Sequence, residues 1–76
     1  MKTNKDYVVD ILSNFGPMTS RQIAVHINNK HGVILTAPQV AGALRPLITK
    51  GYAANSKDER NQTRYWLTEA YVQEDK

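Results

Sequence analysis

Thr19-Ser20-Arg21-Gln22 and Thr36-Ala37-Pro38-Gln39 are the two stretches that decide the fold of this chain. Each sets a threonine three residues ahead of a glutamine. In that T-x-x-Q capping box the hydroxyl accepts from the N3 amide while the glutamine reaches back to the threonine's own N–H. Each box is flanked by an apolar pair placed as a hydrophobic staple, Met18 with Ile23 and Leu35 with Val40. Two helices therefore start here. The earlier one buries Ile23, Ala24 and Ile27 and ends in Asn28-Asn29-Lys30-His31-Gly32. In the later one, at 100° per residue, Val40, Ala41, Leu44, Leu47 and Ile48 share one side. Gln39, Gly42, Pro46 and Thr49 lie opposite, flanked by Ala43 and Arg45. Pro38 suits a first turn, where its missing N–H costs nothing. Pro46 crowds the carbonyl of Gly42 at a cost of about 3 kcal/mol, which predicts a kink or an early end. Lys50-Gly51 supplies a cationic last turn and a C′ glycine.

Working outward, Tyr7, Val8, Ile11, Leu12 and Phe15 form an apolar stripe at helical spacing. The spacing predicts a first helix over about Lys5–Asn14, capped by Thr3 or Asn4 and stopped by Gly16-Pro17, with the glycine left-handed. Val33-Ile34-Leu35 is aliphatic, partly β-branched and short, which predicts a strand in need of a partner. Downstream, Tyr52-Ala53-Ala54-Asn55-Ser56 and Gln62-Thr63-Arg64-Tyr65-Trp66-Leu67 flank Lys57-Asp58-Glu59-Arg60-Asn61, the layout of a β-hairpin with a charged tip. By alternation Tyr65 and Leu67 face the helices, and Arg64 and Trp66 face away. Trp66 is then covered by Tyr71 and Val72 or belongs to a partner surface. Thr68-Glu69 opens a last short helix.

A chain of 76 residues has room for one domain, with a core over about residues 5–68 and a short tail over 69–76. Surface scaling gives a chain of this size about 60 % burial on folding. So small a core favours a module that presents one face to a larger partner over an enclosed enzyme pocket. Cysteine is absent, which removes disulfides, thiolate metal sites and cysteine nucleophiles. His26 and His31 are five positions apart and point in different directions on a helix, so no metal is expected. No glycine-rich phosphate loop or nucleophile set appears, and no cofactor or enzymatic activity is expected. The longest aliphatic run, Val33–Leu35, falls far short of the roughly 18 residues of a membrane span. The N-terminus lacks a secretory pattern, and a cytoplasmic protein is expected.

Net charge is +3, unevenly spread. Over residues 21–64, Arg21, Lys30, Arg45, Lys50, Lys57, Arg60 and Arg64 stand against only Asp58 and Glu59, an excess of five positive charges between a neutral start and an acidic tail. A basic centre of this kind suits a polyanion-facing surface. It equally suits a solvated one.

Three helices and a charged hairpin, with a short strand before the third helix, make an α+β chain that resembles winged helix-turn-helix DNA-binding domains. The resemblance covers about Lys5–Thr68. It rests on Met18-Thr19-Ser20-Arg21-Gln22-Ile23-Ala24, on Val40-x-x-x-Leu44-x-x-Leu47-x-x-Lys50-Gly51-Tyr52, and on Arg64-Tyr65-Trp66-Leu67-Thr68. It implies three helices plus a two- to three-stranded wing, with the third helix in the major groove of double-stranded DNA and the wing on the backbone. Ala37, Gln39, Gly42, Ala43 and Arg45 then lie near the bases, and Lys57, Arg60 and Arg64 near phosphates. On residue chemistry, Gln39 matches an adenine edge and Arg45 a guanine edge. The start of the second helix at Thr19, Ser20 and Arg21 offers N–H groups to a phosphate, or is a plain cap.

The function this implies is a small transcriptional regulator acting by occupying DNA. A domain with so few base contacts gains specificity as a homodimer on two half-sites, for which Tyr7, Tyr71 and Val72 are the contact candidates. The rival is a winged helix serving as a protein-interaction module, favoured by the smooth surface of Gly42, Ala43 and Pro46. A non-specific nucleic-acid binder in replication or packaging is the third alternative.

Overall fold

The computed structural model describes residues 2–74, with side chains as far as Tyr71. Helix α1 spans Asn4–Asn14, strand β1 Met18–Thr19, α2 Ser20–His31 and α3 Ala37–Thr49. Strands β2 (Ala53–Lys57) and β3 (Thr63–Leu67) follow, then α4 (Glu69–Glu74). All three long helices start in a full capping box. Thr36 accepts from the Gln39 amide at 3.2 Å while Gln39 accepts from the Thr36 amide at 2.9 Å. Thr19 and Gln22 repeat this at 3.2 and 3.0 Å. The box on α1 pairs Thr3 with Asp6, an acidic variant in which a carboxylate takes the place of the glutamine.

The helix ends follow from backbone chemistry. Gly51, at φ 81°, closes α3 in a Schellman arrangement, with the Tyr52 amide on the Leu47 carbonyl at 2.8 Å and the Gly51 amide on Ile48 at 3.0 Å. Gly32, at φ 70°, ends α2. Gly16, expected to do the same for α1, is not left-handed: Phe15 turns extended and ends the helix. Proline disfavours helical geometry in the residue before it, so Gly16 ahead of Pro17 has no reason to adopt the glycine-only conformation. Pro46 does not end α3, which continues to Thr49. The carbonyl that an ordinary residue at position 46 would bond belongs to Gly42, an exposed residue with open space around it, so the lost N–H leaves no buried acceptor behind.

Val8, Ile11, Leu12, Met18, Ile23, Ile27, Val40, Leu44, Leu47 and Ala53 form the buried core. Six of these side chains are fully enclosed, Ile11, Ile23, Ile27, Leu44, Val8 and Val40, so the centre of the three-helix packing is aliphatic. The expected strand at Val33–Leu35 is not one: these residues link α2 to α3 without pairing, Val33 and Leu35 against the core and Ile34 83 % exposed. The third strand is instead β1, and the sheet order is β1-β3-β2, antiparallel throughout. Met18 pairs with Tyr65 and Thr19 with Arg64. A strand needs an edge within reach, and Met18, anchored in the core as the staple residue, brings its own backbone to the edge of β3 that β2 leaves open.

Candidate nucleic-acid interface

The outer side of α3 is built by exclusion. Val40, Leu44 and Leu47 are buried against α1 and α2, which turns Gln39, Gly42, Arg45, Pro46 and Thr49 outward, all of them exposed. Ala37 is half-buried at the helix start, and Ala43 is half-buried with its methyl against the core. The carboxamide oxygen of Gln39 is engaged by the Thr36 amide. That contact folds the side chain back along the first turn and leaves its NH2 group as the part free to donate outward.

The remaining candidates fall into two groups. Thr19, Ser20 and Arg21 open α2; the hydroxyl and amide of Thr19 are spent on the capping box, and Arg21 is exposed. Arg21 borders a groove that reaches across to Ala37 and Pro38 at the start of α3, so two candidate groups separated in sequence share one surface. Lys57, Arg60 and Arg64 belong to the wing. Its tip is organised by Asp58, whose carboxylate accepts from the Arg60 amide at 2.9 Å, the Gln62 amide at 3.0 Å and Arg64 Nε at 3.0 Å. The Asp58 amide donates to the Gln62 carbonyl at 2.9 Å and the Asn61 amide to the Asp58 carbonyl at 3.0 Å. Asn61 takes φ 63°, as the last residue of a three-residue hairpin loop requires. The Gln62 amide first, then the Arg60 amide and the Arg64 guanidinium, hold the Asp58 carboxyl below its ordinary value. Asp58 is thus turned into its own loop, and Glu59 is the exposed carboxylate of the tip.

Pairing within the hairpin sets which wing residues share a side. Ala53 stands opposite Leu67, Asn55 opposite Tyr65 and Lys57 opposite Thr63. These three pairs lie on one face, and Ala53, Tyr65 and Leu67 show that it is the face turned to the helices. Ser56, Arg64, Ala54 and Trp66 lie on the other. A groove between α3 and this inner face is lined by Ala41, Arg45, Ile48, Thr49, Asn55 and Tyr65. Neither Asn55 nor Thr49 nor Tyr65 was singled out as functional from the sequence, although strand alternation had already turned Tyr65 towards the helices. On the outer face Trp66 borders a different groove, with Leu12, Ser13, Gly16, Pro17 and Leu67. Tyr71, expected over Trp66, meets Tyr52 edge to face at 6.0 Å between ring centroids. The side chain of Val72 lies outside the described residues.

Two aspartates bear on the electrostatics besides the wing. Asp10 on α1 binds Lys30 at 2.9 Å and His31 at 2.8 Å at the end of α2. Those two hydrogen bonds, Lys30 first, lower its pKa. Asp6 is lowered chiefly by the Thr3 amide of its capping box. All of this lies on α1 and the far end of α2, and among the described residues no carboxylate lines the groove between α3 and the wing. Among the described residues no cluster of three or more metal-ligating side chains is present, and no helix is long and apolar enough to cross a membrane.

Three helices in which α2 and α3 meet across a short connection, closed by a sheet whose last two strands project as a wing, define a winged helix-turn-helix fold. Solved structures share it. The crystal structure of the transcriptional regulator PA4135 superposes on 96% of this chain with a TM-score of 0.74 and 27% sequence identity. The structure of RosR from H. salinarum superposes on 97% with a TM-score of 0.78 and 17% identity, a likeness of fold alone. The chain spans 51% of the first protein and 66% of the second. No family model matches the sequence, and no curated protein does.

Proposed function

We propose that this protein is a DNA-binding transcriptional regulator, with α3 in the major groove of double-stranded DNA, the wing on the backbone and the start of α2 against an adjacent phosphate. The observation that carries the proposal is the exposed outer side of α3 beside a wing bearing Lys57, Arg60 and Arg64. The likeness to the regulator PA4135 supports it, as does the excess of five positive charges over residues 21–64. The protein acts by occupancy and not by catalysis. With about three to five phosphates neutralised per monomer, log K for duplex DNA falls against log[salt] with a slope of about −3 to −4.5. Titration of mixed duplex DNA at low and moderate salt measures it. Absence of binding at low salt, or tight binding indifferent to salt, refutes it.

Specific affinity from so small a domain favours two copies on half-sites about 34–36 Å apart. Tyr7 and Tyr71 are half-buried and remain the contacts proposed for that dimer. Sedimentation on the preferred duplex distinguishes one copy from two. The second reading, a protein-interaction module, is favoured by one observation: Val25 and Ile34 are 53 % and 83 % exposed beside the α2–α3 groove.

A further inference from the structure

We propose that the groove between α3 and the inner face of the wing is a phosphate seat, in which Arg45 is the charged donor, Asn55 and Tyr65 are neutral donors, and Lys57 continues the track outward. Arg45 on this account positions the duplex and does not read guanine. The proposal rests on the DNA-binding function above and deepens it by saying where the backbone passes.

The geometry comes from two elements. On α3, Ala41, Arg45 and Ile48 recur at i, i+4 and i+7, the flank next to the buried Val40–Leu44–Leu47 side, and all three line the groove. Arg45 therefore stands on the wing side of the helix, while Gly42 and Pro46 occupy the outermost positions. On the wing, the inner face runs outward from Ala53 and Leu67 in the core, through Asn55 and Tyr65 at the groove, to Lys57 and Thr63 near the tip. The groove has a volume of about 300 Å³ and, among the described residues, no carboxylate in its lining. The cations of the chain are also not equivalent. Arg64, on the outer face, is held by Asp58, and Lys30 is held by Asp10. Among the described residues Arg45 and Lys57 enter no ion pair, and both are exposed.

The duplex supplies the rest. With α3 in the major groove and the wing on the backbone beside it, a sugar–phosphate strand passes through the space between the two elements. Here the space is this groove. An arginine fork, an asparagine amide and a tyrosine hydroxyl are donors of the kind that hold phosphate oxygens and carry no sequence information. On this account Arg45 meets the strand, and Gln39, exposed at the first turn of α3 with its NH2 group free to donate, is left for a base edge.

The test compares Arg45→Ala, Arg45→Lys, Asn55→Ala and Gln39→Ala with the parent on a preferred duplex and on mixed duplexes, at several salt concentrations. Arg45→Ala is expected to weaken binding about tenfold on every duplex, in keeping with a charged hydrogen bond, and to reduce the salt slope by about 0.9, the contribution of one phosphate. Arg45→Lys keeps the slope. Asn55→Ala weakens all duplexes alike with the slope unchanged, because a neutral donor releases no counterion. Gln39→Ala loses affinity on the preferred duplex and little elsewhere. Thermal melts separate folding from binding, above all for Gln39→Ala, which also removes the acceptor of the Thr36 amide in the capping box. An Arg45→Ala variant that reorders the preference among duplexes, or one that binds as the parent does, overturns the phosphate seat while DNA binding stands. A parent that binds no DNA removes the underlying function, and the seat with it, before any variant is made.

Discussion

The helical half and the wing are held by opposite means. In the helices, fully enclosed aliphatic side chains such as Ile23, Ile27 and Leu44 fix the packing, and capping boxes fix only where each helix begins. At the wing tip nothing apolar is buried; one carboxylate, Asp58, gathers two backbone amides and a guanidinium. Burial is non-directional and makes a stiff platform, whereas a few directed hydrogen bonds in water make a small, locally ordered projection. A surface that inserts into a partner benefits from the first, and one that adjusts along a backbone benefits from the second.

The most severe way to break that comparison is Leu44→Ala. It removes a side chain with no exposure at the centre of the three helices, and is expected to cost about 2–5 kcal/mol, read as a shifted denaturant midpoint. A loss below about 1 kcal/mol would mean that the core is looser than its enclosure implies. Next, Thr19→Ala and Thr36→Ala each delete a cap hydroxyl and are expected to cost about 1 kcal/mol. Denaturation should find them similar, since their boxes have the same geometry. If Thr19→Ala is clearly worse, the β1 pairing to Arg64 contributes through the same residue.

Asp58→Ala sharpens the comparison from the other side. Hydrogen exchange at the Arg60 and Gln62 amides should quicken while the thermal midpoint barely moves; a midpoint lowered as far as by Leu44→Ala would show that the wing and core unfold as one. The wing has its own pH dependence. Because the folded-state pKa of Asp58 lies below the ordinary 3.8, its contribution is present above that value and is lost as pH falls through the lowered one. The amide shifts of Arg60 and Gln62 should therefore titrate below pH 3.8, and in Asp58→Ala that transition should vanish. The smallest effect belongs to Asp10→Asn, which loosens an exposed contact to Lys30 and a part-buried one to His31 and should change stability at neutral pH by about 0–1 kcal/mol.

What was legible from residues alone follows the same division. The Thr–Gln boxes, the aliphatic stripes and the Lys50-Gly51 stop set the starts, the buried faces and the end of α3, because each depends on neighbours within a turn of the chain. The hairpin, too, was legible from two extended runs and a polar tip. Three features depended on tertiary structure. Met18–Thr19 became a strand, and Val33–Leu35 did not, because pairing depends on which backbone reaches a free edge of β3. Pro46 was tolerated because Gly42, the residue whose carbonyl it crowds, is exposed. The groove of Arg45, Asn55 and Tyr65 arose because packing α3 against the sheet faces residues from distant parts of the chain. Local chemistry writes caps, periods and turns into consecutive residues; the surface between two elements exists only once both are packed against a common core.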